Sequence, residues 1–396
     1  MHNKLTRVTA LFLCLSILML WPLKINAQEL PFDLQSQSAL LMDYDTGTIL
    51  YEKNPHDKLP IASITKIMTT LLALEAIEEG RISLEDEVTV SEYAASMGGS
   101  QVFLEASERL PVSALLKAII VASANDASVA LAEKISGTVE TFVKGMNKKA
   151  KELGMENTNF SDCTGLSDEG NYSTAYDISI MSRELLKYPL FFQWSTIWLD
   201  NLEESANNTM LTNTNRLVRF YDGCDGIKTG STSKAKSCLA ATAKRGNLRL
   251  ISIVLAAPTS QLRFSEAAKL MDYGFANYDA VPLIKKDSVV ERNIAVTGGK
   301  EKVISGLAAS DFSLLQKKGE QSEYQVDNII EQPIKAPIIK SQKIGYMTIK
   351  QNGKDIGTVD ILADRDIDKA GIYDYFKQII RNWASASYNK LEQKNE

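Results

Sequence analysis

The chain has 396 residues, 44% of them hydrophobic, with a formal net charge of −5 and a pI near 5.4. That length buries more than one core, so two domains are expected and a disordered tail protein is excluded. The charge gives no broad field for phosphate backbones, and no basic cluster interleaves with aromatic residues, so no nucleic-acid partner is expected.

Taken from the N-terminus, Lys4 and Arg7 precede an apolar run from Val8 to Trp21, followed by Pro22 and the small-residue end Ile25-Asn26-Ala27. This is the order of a secretory signal peptide spanning residues 1–27, with cleavage expected after Ala27; the run is short for a membrane-spanning helix. Cys14 follows Leu13 rather than a small residue, so lipid attachment there is not expected. The mature chain is expected to work outside the cytoplasm. It would keep Cys163, Cys224 and Cys238, too few and too scattered for a disulfide scaffold or a cysteine zinc site, and enough for at most one disulfide. His56 would be its only histidine, in the polar stretch Lys53-Asn54-Pro55-His56-Asp57-Lys58 that reads as a solvated turn. Hydrolytic chemistry here must then manage without a histidine base, and neither a metal nor another cofactor is expected.

Residues 39–51 read as strand, Asp45-Thr46-Gly47 turn, strand. Residues 63–80 read as a helix with Ile67, Leu71, Leu74 and Ile77 on one side and a glycine stop, and 114–135 repeat the helical signature with alanine and leucine spacing. Residues 239–257 return to β-type runs. Strand, helices, strand within one unit predicts an α/β (α+β) sandwich with an antiparallel sheet, spanning about 35–279. Beyond it come short Val/Ile-rich segments, the break between Pro333 and Pro337 and a hairpin at Asn352-Gly353, which predict a small all-β domain over 280–365. Within 366–396, Ile372, Tyr375, Phe376, Ile379, Ile380 and Trp383 share one helical face, with Asp374, Lys377, Gln378, Arg381 and Asn382 opposite. That is the pattern of an interfacial helix lying on a membrane surface, the alternative being a helix docked on its own domain.

Chemistry-bearing residues fall in three short clusters. In Pro60-Ile61-Ala62-Ser63-Ile64-Thr65-Lys66 a serine stands where a helix begins and a lysine three residues on shares its face, within reach of the hydroxyl. A lysine acts as a base only when desolvation or a nearby cation lowers its pKa, which a buried site beside Lys228 would supply. Ser123-Ala124-Asn125 follows an apolar segment, and Lys228-Thr229-Gly230 leads into a β-type run, where the glycine would let a substrate backbone lie close to the strand. Each pattern is weak alone: Ser233-Lys234-Ala235-Lys236 repeats the first, and Ser205-Ala206-Asn207 repeats the second.

In order, the three clusters resemble the motifs of the penicillin-recognising serine enzymes, and more closely those of the low-molecular-mass penicillin-binding proteins that are D-alanyl-D-alanine carboxypeptidases. The resemblance extends over 39–53, 60–69, Gly98-Gly99-Ser100, 121–134, Tyr172-Ser173-Thr174-Ala175-Tyr176-Asp177, 225–244, the β domain and the terminal helix. It implies that Ser63 is the nucleophile and Lys66 its base, that Ser123 relays a proton to the leaving amine, and that Asn125 orients the substrate amide. It further implies positive potential from Lys228, a contact of Thr229 with the substrate carboxylate beside Gly230, and an oxyanion hole from the N–H groups of Ser63 and Ser231. Arg263 matches an arginine near that carboxylate, with a surface ion-pair role as the alternative. The implied partners are peptidoglycan pentapeptide stems as substrate, β-lactam antibiotics as covalent inhibitors and the membrane surface. The sequence departs from the pattern at Asn171, where histidine is common, and at Lys236, where glycine is usual. Two other readings are a serine β-lactamase, for which Glu169, Glu184, Glu203 and Glu204 are the available glutamates, and a non-catalytic wall-binding module.

Overall fold

The structure, a computed structural model, describes residues 33–167, 170–320, 323–374 and 376. The proposed signal peptide therefore lies outside the described residues, as do Glu169 and residues 375 and 377–396 of the proposed terminal helix.

Five strands form one antiparallel sheet: β1 (Ser38–Asp43), β2 (Ile49–Lys53), β3 (Cys224–Thr232), β4 (Lys236–Arg245) and β5 (Leu248–Ala257), in the spatial order β2-β1-β5-β4-β3. The β1–β2 turn closes as its sequence predicts: Gly47 takes φ +72° and donates to the Asp43 carbonyl at 2.9 Å, while Asp43 Oδ2 accepts the Thr46 N–H at 2.8 Å. The α-helices longer than four residues are α1 (Lys66–Glu78), α2 (Val112–Lys117), α3 (Asn125–Ser136), α4 (Val139–Glu152), α5 (Ala175–Leu185) and α6 (Ser260–Asn277). Residues of β1 and β5 are buried almost throughout because helices cover the sheet on both faces. Leu40, Met42, Ile251 and Ile253 enter one core with Met68, Leu71, Leu131 and Ile178, whereas Leu41 and Leu250 approach Gly274 of α6. Each fully buried leucine of this kind contributes about 2 kcal/mol.

Two helical expectations are modified. The first opens with a 3-10 turn over Ala62–Thr65 before α1, which ends at Glu78 with Gly80 at φ +68° just beyond it. The helix expected over 114–135 is broken: α2 runs into a wider turn over Ala118–Ala122, Ser123 adopts φ +65°, and α3 restarts at Asn125. The break is imposed from outside the segment, because the Asn125 N–H is taken by the Ser100 carbonyl at 2.7 Å instead of by its own helix.

The strands that follow α6 are β6 (Tyr278–Ile284), β7 (Val289–Thr297), β8 (Val303–Ala308), β9 (Phe312–Lys317), β10 (Tyr324–Ile330), β11 (Ile334–Lys335), β12 (Lys343–Gln351) and β13 (Lys354–Ala363). Six of them form a sheet in the order β10-β12-β13-β8-β7-β11, and β6 pairs with β9. Ile294, Ile304, Phe312, Met347, Ile349 and Ile361 make a second core. The β12–β13 turn at Asn352-Gly353 has φ +49° and +77°, the two positive values a type I′ hairpin requires.

Candidate active site

Ser63 lies in the 3-10 turn directly after Ala62, whose φ of +48° is unfavourable for a residue with a Cβ. A built-in contact holds that conformation: a Cβ on Gly165, itself at φ +75°, would stand 1.9 Å from the Ala62 carbonyl oxygen, so only glycine lets the 162–167 loop close on this turn. At the start of α1, Lys66 is fully buried, and its Nζ is 3.0 Å from Ser63 Oγ and donates to the Thr164 carbonyl at 2.7 Å. Burial pushes its pKa down to about 7, against the opposing pull of Cys163, Asp162 and Asp126. The Cys163 thiol is itself pushed up to about 12 by burial, so it is neutral near pH 7 and the carboxylates are the effective opposition. A near-neutral amine in hydrogen-bond contact with a serine hydroxyl can take the hydroxyl proton.

Ser123, 3% exposed, sits at the break before α3, and no hydrogen bond joins it to Ser63 or Lys66 among the described residues. Asn125 donates to the Gly98 carbonyl at 2.7 Å, while its buried Oδ1 has no donor among the described residues. That free acceptor can receive an amide N–H. Asp126 fixes the facing loop by accepting the N–H groups of Val102 at 3.0 Å and Leu104 at 3.1 Å.

On β3, Lys228 and Thr229 are buried. Burial, then the neighbouring Lys66 and Arg263 charges, hold the Lys228 amine well below the ordinary lysine range, and it donates to the Thr229 carbonyl at 3.2 Å. Thr229 Oγ1 lies 2.8 Å from Thr214 Oγ1. Gly230 also meets a constraint within the fold. A Cβ there would sit 2.6 Å from the Ile61 carbonyl oxygen and 3.1 Å from the Ile64 nitrogen, so the glycine lets β3 lie against the serine-bearing turn. Ser231 is exposed, opposite Ser237. Arg263 has no surface ion-pair role: it is buried, and its Nη1 donates to the Gly230 carbonyl at 3.0 Å, tying α6 to β3. Lys236 takes φ +55° at the exposed start of β4, a conformation glycine adopts without strain.

The two repeated patterns are elsewhere. Ser233 and Lys236 are exposed at the β3–β4 turn, and Ser205 is in the turn of a hairpin between Leu199–Leu202 and Thr209–Thr212. Glu184 is paired with Lys187 at 2.6 Å and Glu204 with Lys117 at 3.4 Å, which accounts for both as surface ion pairs. Among the described residues no group of three or more His, Cys, Asp or Glu side chains is placed to hold a metal. All three cysteines among the described residues are free and buried. Thr164, Asp162, Asp126 and Thr214 join the site without having stood out in the sequence, because they act through a backbone carbonyl or through hydrogen bonds to backbone and hydroxyl groups. Only the Asp162-Cys163-Thr164-Gly165 run, an Asp two residues before a Thr-Gly pair, carried a turn signal.

A family model described as D-alanyl-D-alanine carboxypeptidase matches residues 24–259, and one described as penicillin-binding protein 5, C-terminal domain, matches 278–369. The chain belongs to the D-alanyl-D-alanine carboxypeptidase family. It is 45% identical to the D-alanyl-D-alanine carboxypeptidase DacF of Bacillus subtilis over 351 residues, 88% of this chain and 90% of that one. Its fold superposes on crystal structures of penicillin binding protein 5 from Haemophilus influenzae with a TM-score of 0.66 and 33% identity, covering 86% of this chain and 100% of that one. Penicillin-binding protein D2 from Listeria monocytogenes, solved in an ampicillin-bound form, matches with a TM-score of 0.53 and 33% identity over 61% of this chain and 98% of its own. The chain thus carries the low-molecular-mass penicillin-binding-protein architecture, with helices, an antiparallel sheet and a C-terminal all-β part.

Proposed function

We propose that the chain is a serine D,D-carboxypeptidase that removes the terminal D-alanine of peptidoglycan stem peptides through an acyl-enzyme on Ser63. The observation that carries this reading is the fully buried Lys66 amine, 3.0 Å from Ser63 Oγ with its pKa pushed down to about 7. Lys66 takes the hydroxyl proton as Ser63 Oγ bonds to the penultimate D-alanine carbonyl carbon. The N–H groups of Ser63 and Ser231 receive the oxyanion. Asn125 Oδ1, the free buried acceptor, receives the substrate amide N–H. The departing D-alanine amine gains its proton through Ser123, and its carboxylate lies at Lys228 and Thr229, within the positive field that Arg263 reinforces from behind β3. Water then cleaves the ester. A β-lactam enters by the same attack and stays bound as a covalent inhibitor, a reading supported by the family and by the ampicillin-bound Listeria relative.

In the same reading residues 1–27 are a cleaved signal peptide, 35–279 the catalytic domain, 280–365 a β domain, and 366–396 a helix that attaches the enzyme peripherally to the outer face of the cytoplasmic membrane. Support for the attachment comes from Ile372 and Phe376, which are 91% and 60% exposed rather than packed on the β sheet. No helix among the described residues is long and apolar enough to cross a membrane. Incubation of the enzyme with a D-Ala-D-Ala-ending peptide and, separately, with labelled penicillin tests the activity. Released D-alanine and one label on Ser63 are expected; labelling that persists in Ser63→Ala would overturn the assignment.

A further inference from the structure

Asp162 is the hub of the loop that faces Lys66. Its Oδ1 accepts the Thr164 N–H at 2.7 Å, the Thr164 hydroxyl at 2.8 Å and the Gly165 N–H at 2.6 Å. Its Oδ2 accepts the Ser167 N–H at 3.2 Å and the Asn171 amide at 2.6 Å. Asn171 is anchored in turn, donating to the Ser167 carbonyl at 3.1 Å and accepting the Ser161 N–H at 2.9 Å. The loop so fixed presents two consecutive carbonyls to α1: Cys163 O to the Thr69 hydroxyl at 2.7 Å and Thr164 O to Lys66 Nζ at 2.7 Å. Gly165 seals the closure over the Ala62 carbonyl.

From this geometry we infer that Asp162, held by Asn171, is a positioning residue for the acylation step: it aims the Thr164 carbonyl at the Lys66 amine and so sets how readily Lys66 exchanges a proton with Ser63. The inference rests on the reading of Lys66 as the base. The Thr164 carbonyl fixes one direction of the amine and leaves the rest of it toward Ser63 Oγ. The carboxylate also faces Lys66 electrostatically, together with Asp126 from α3; the coupling with Lys228 on β3 acts on Lys228, whose amine it helps to hold well below the ordinary range, and the neutral Cys163 thiol adds little. Removing the Asp162 charge takes away a contribution that holds the lysine pKa up, so the amine should lose its proton at lower pH.

The test is the pH dependence of acylation by labelled penicillin for the parent, Asp162→Asn, and the exchanged pair Asp162→Asn/Asn171→Asp, with Lys66→Ala as reference and thermal unfolding read alongside. In the single variant the new amide nitrogen faces two donors; in the exchanged pair the carboxylate at position 171 accepts from the new amide at position 162 and can still accept from Ser161. Asp162→Asn should acylate roughly tenfold more slowly, with the midpoint of the acid limb moved below that of the parent by roughly half to one pH unit. The exchanged pair should return to within about threefold of the parent rate, because the hydrogen bond between positions 162 and 171 and the negative charge of the loop are both restored, the loss being confined to the two Ser167 backbone contacts. A single variant that melts lower but keeps the parental acid limb and rate would make Asp162 merely structural. Should the single variant fail to fold, the exchanged pair decides alone: folded yet more than about tenfold slow, it overturns the inference. If Lys66→Ala acylates normally, the reading of Lys66 fails instead, and the two failures are told apart.

Discussion

Gly230 and Lys66 are the residues at which a single change speaks most directly about the site. Gly230→Ala would place a methyl carbon 2.6 Å from the Ile61 carbonyl oxygen, forcing β3 away from the serine-bearing turn. A loss of about 1–3 kcal/mol in urea unfolding is expected, together with slowed penicillin acylation. For Lys66 the expected outcome is a pH profile: the neutral amine is the active form, so acylation should rise with pH through a midpoint near the value of about 7 to which burial pushes this group. A profile flat from about pH 6 to 9 would point to another base. Both residues were legible in the sequence as motif members, but the reason for each was only partly so. The serine-to-lysine spacing gave the shared helical face directly. The fold's own constraint on Gly230, a carbonyl belonging to residue 61, lies far away in sequence and became visible only when β3 and the 3-10 turn were placed side by side.

At the scale of elements, the interrupted helix between Val112 and Ser136 shows where local pattern stops being informative. Alanine- and leucine-rich spacing favours helix throughout, yet the segment breaks at Ser123 because the Ser100 carbonyl takes the Asn125 N–H and Asp126 takes those of Val102 and Leu104. These partners come from the 98–104 loop, which no periodicity within the helix can announce. Asp126→Ala would leave two buried N–H groups without acceptors, so a loss of about 2–4 kcal/mol is expected in thermal unfolding. A larger proportional loss of acylation should accompany it, since the Gly98 carbonyl that holds Asn125 sits on the same loop. Unchanged unfolding would show that the loop does not depend on this carboxylate. The hairpins, by contrast, could be read from sequence because their turns are local: Asp43 with Thr46 and Gly47, and Asn352 with Gly353, carry their geometry in adjacent residues.

Among the described residues, the core that Leu40, Met42, Ile251 and Ile253 enter on the five-stranded sheet and the core of the β6–β13 strands have separate memberships. The Listeria relative, whose full length matches 61% of this chain, has a solved structure of its own. A chain ended after Asn277 is therefore expected to fold and to acylate with labelled penicillin within about threefold of the full chain. Failure to fold would mean that the β part is required for the first core. A chain ended at Gly371 should keep activity on small peptides while losing vesicle binding in flotation; binding that persists would move the attachment away from the terminal segment. The change of composition near Asp279 was readable because strand-forming Val and Ile replace helix-forming runs. How the second set of strands is ordered was not, because β10, β12, β13, β8, β7 and β11 pair out of chain order.

On the proposed reading, Ser63, with the buried Lys66 beside it, carries a D,D-carboxypeptidase reaction. The most direct measurement is D-alanine released from a D-Ala-D-Ala-ending peptide by the parent enzyme and by Ser63→Ala, with the site of penicillin attachment read by peptide mass. Free D-alanine is expected from the parent, none above background from Ser63→Ala, and a penicilloyl mass on the peptide containing Ser63 alone. D-alanine release that survives in Ser63→Ala, or a penicilloyl group on Ser123 or Ser233, would contradict it.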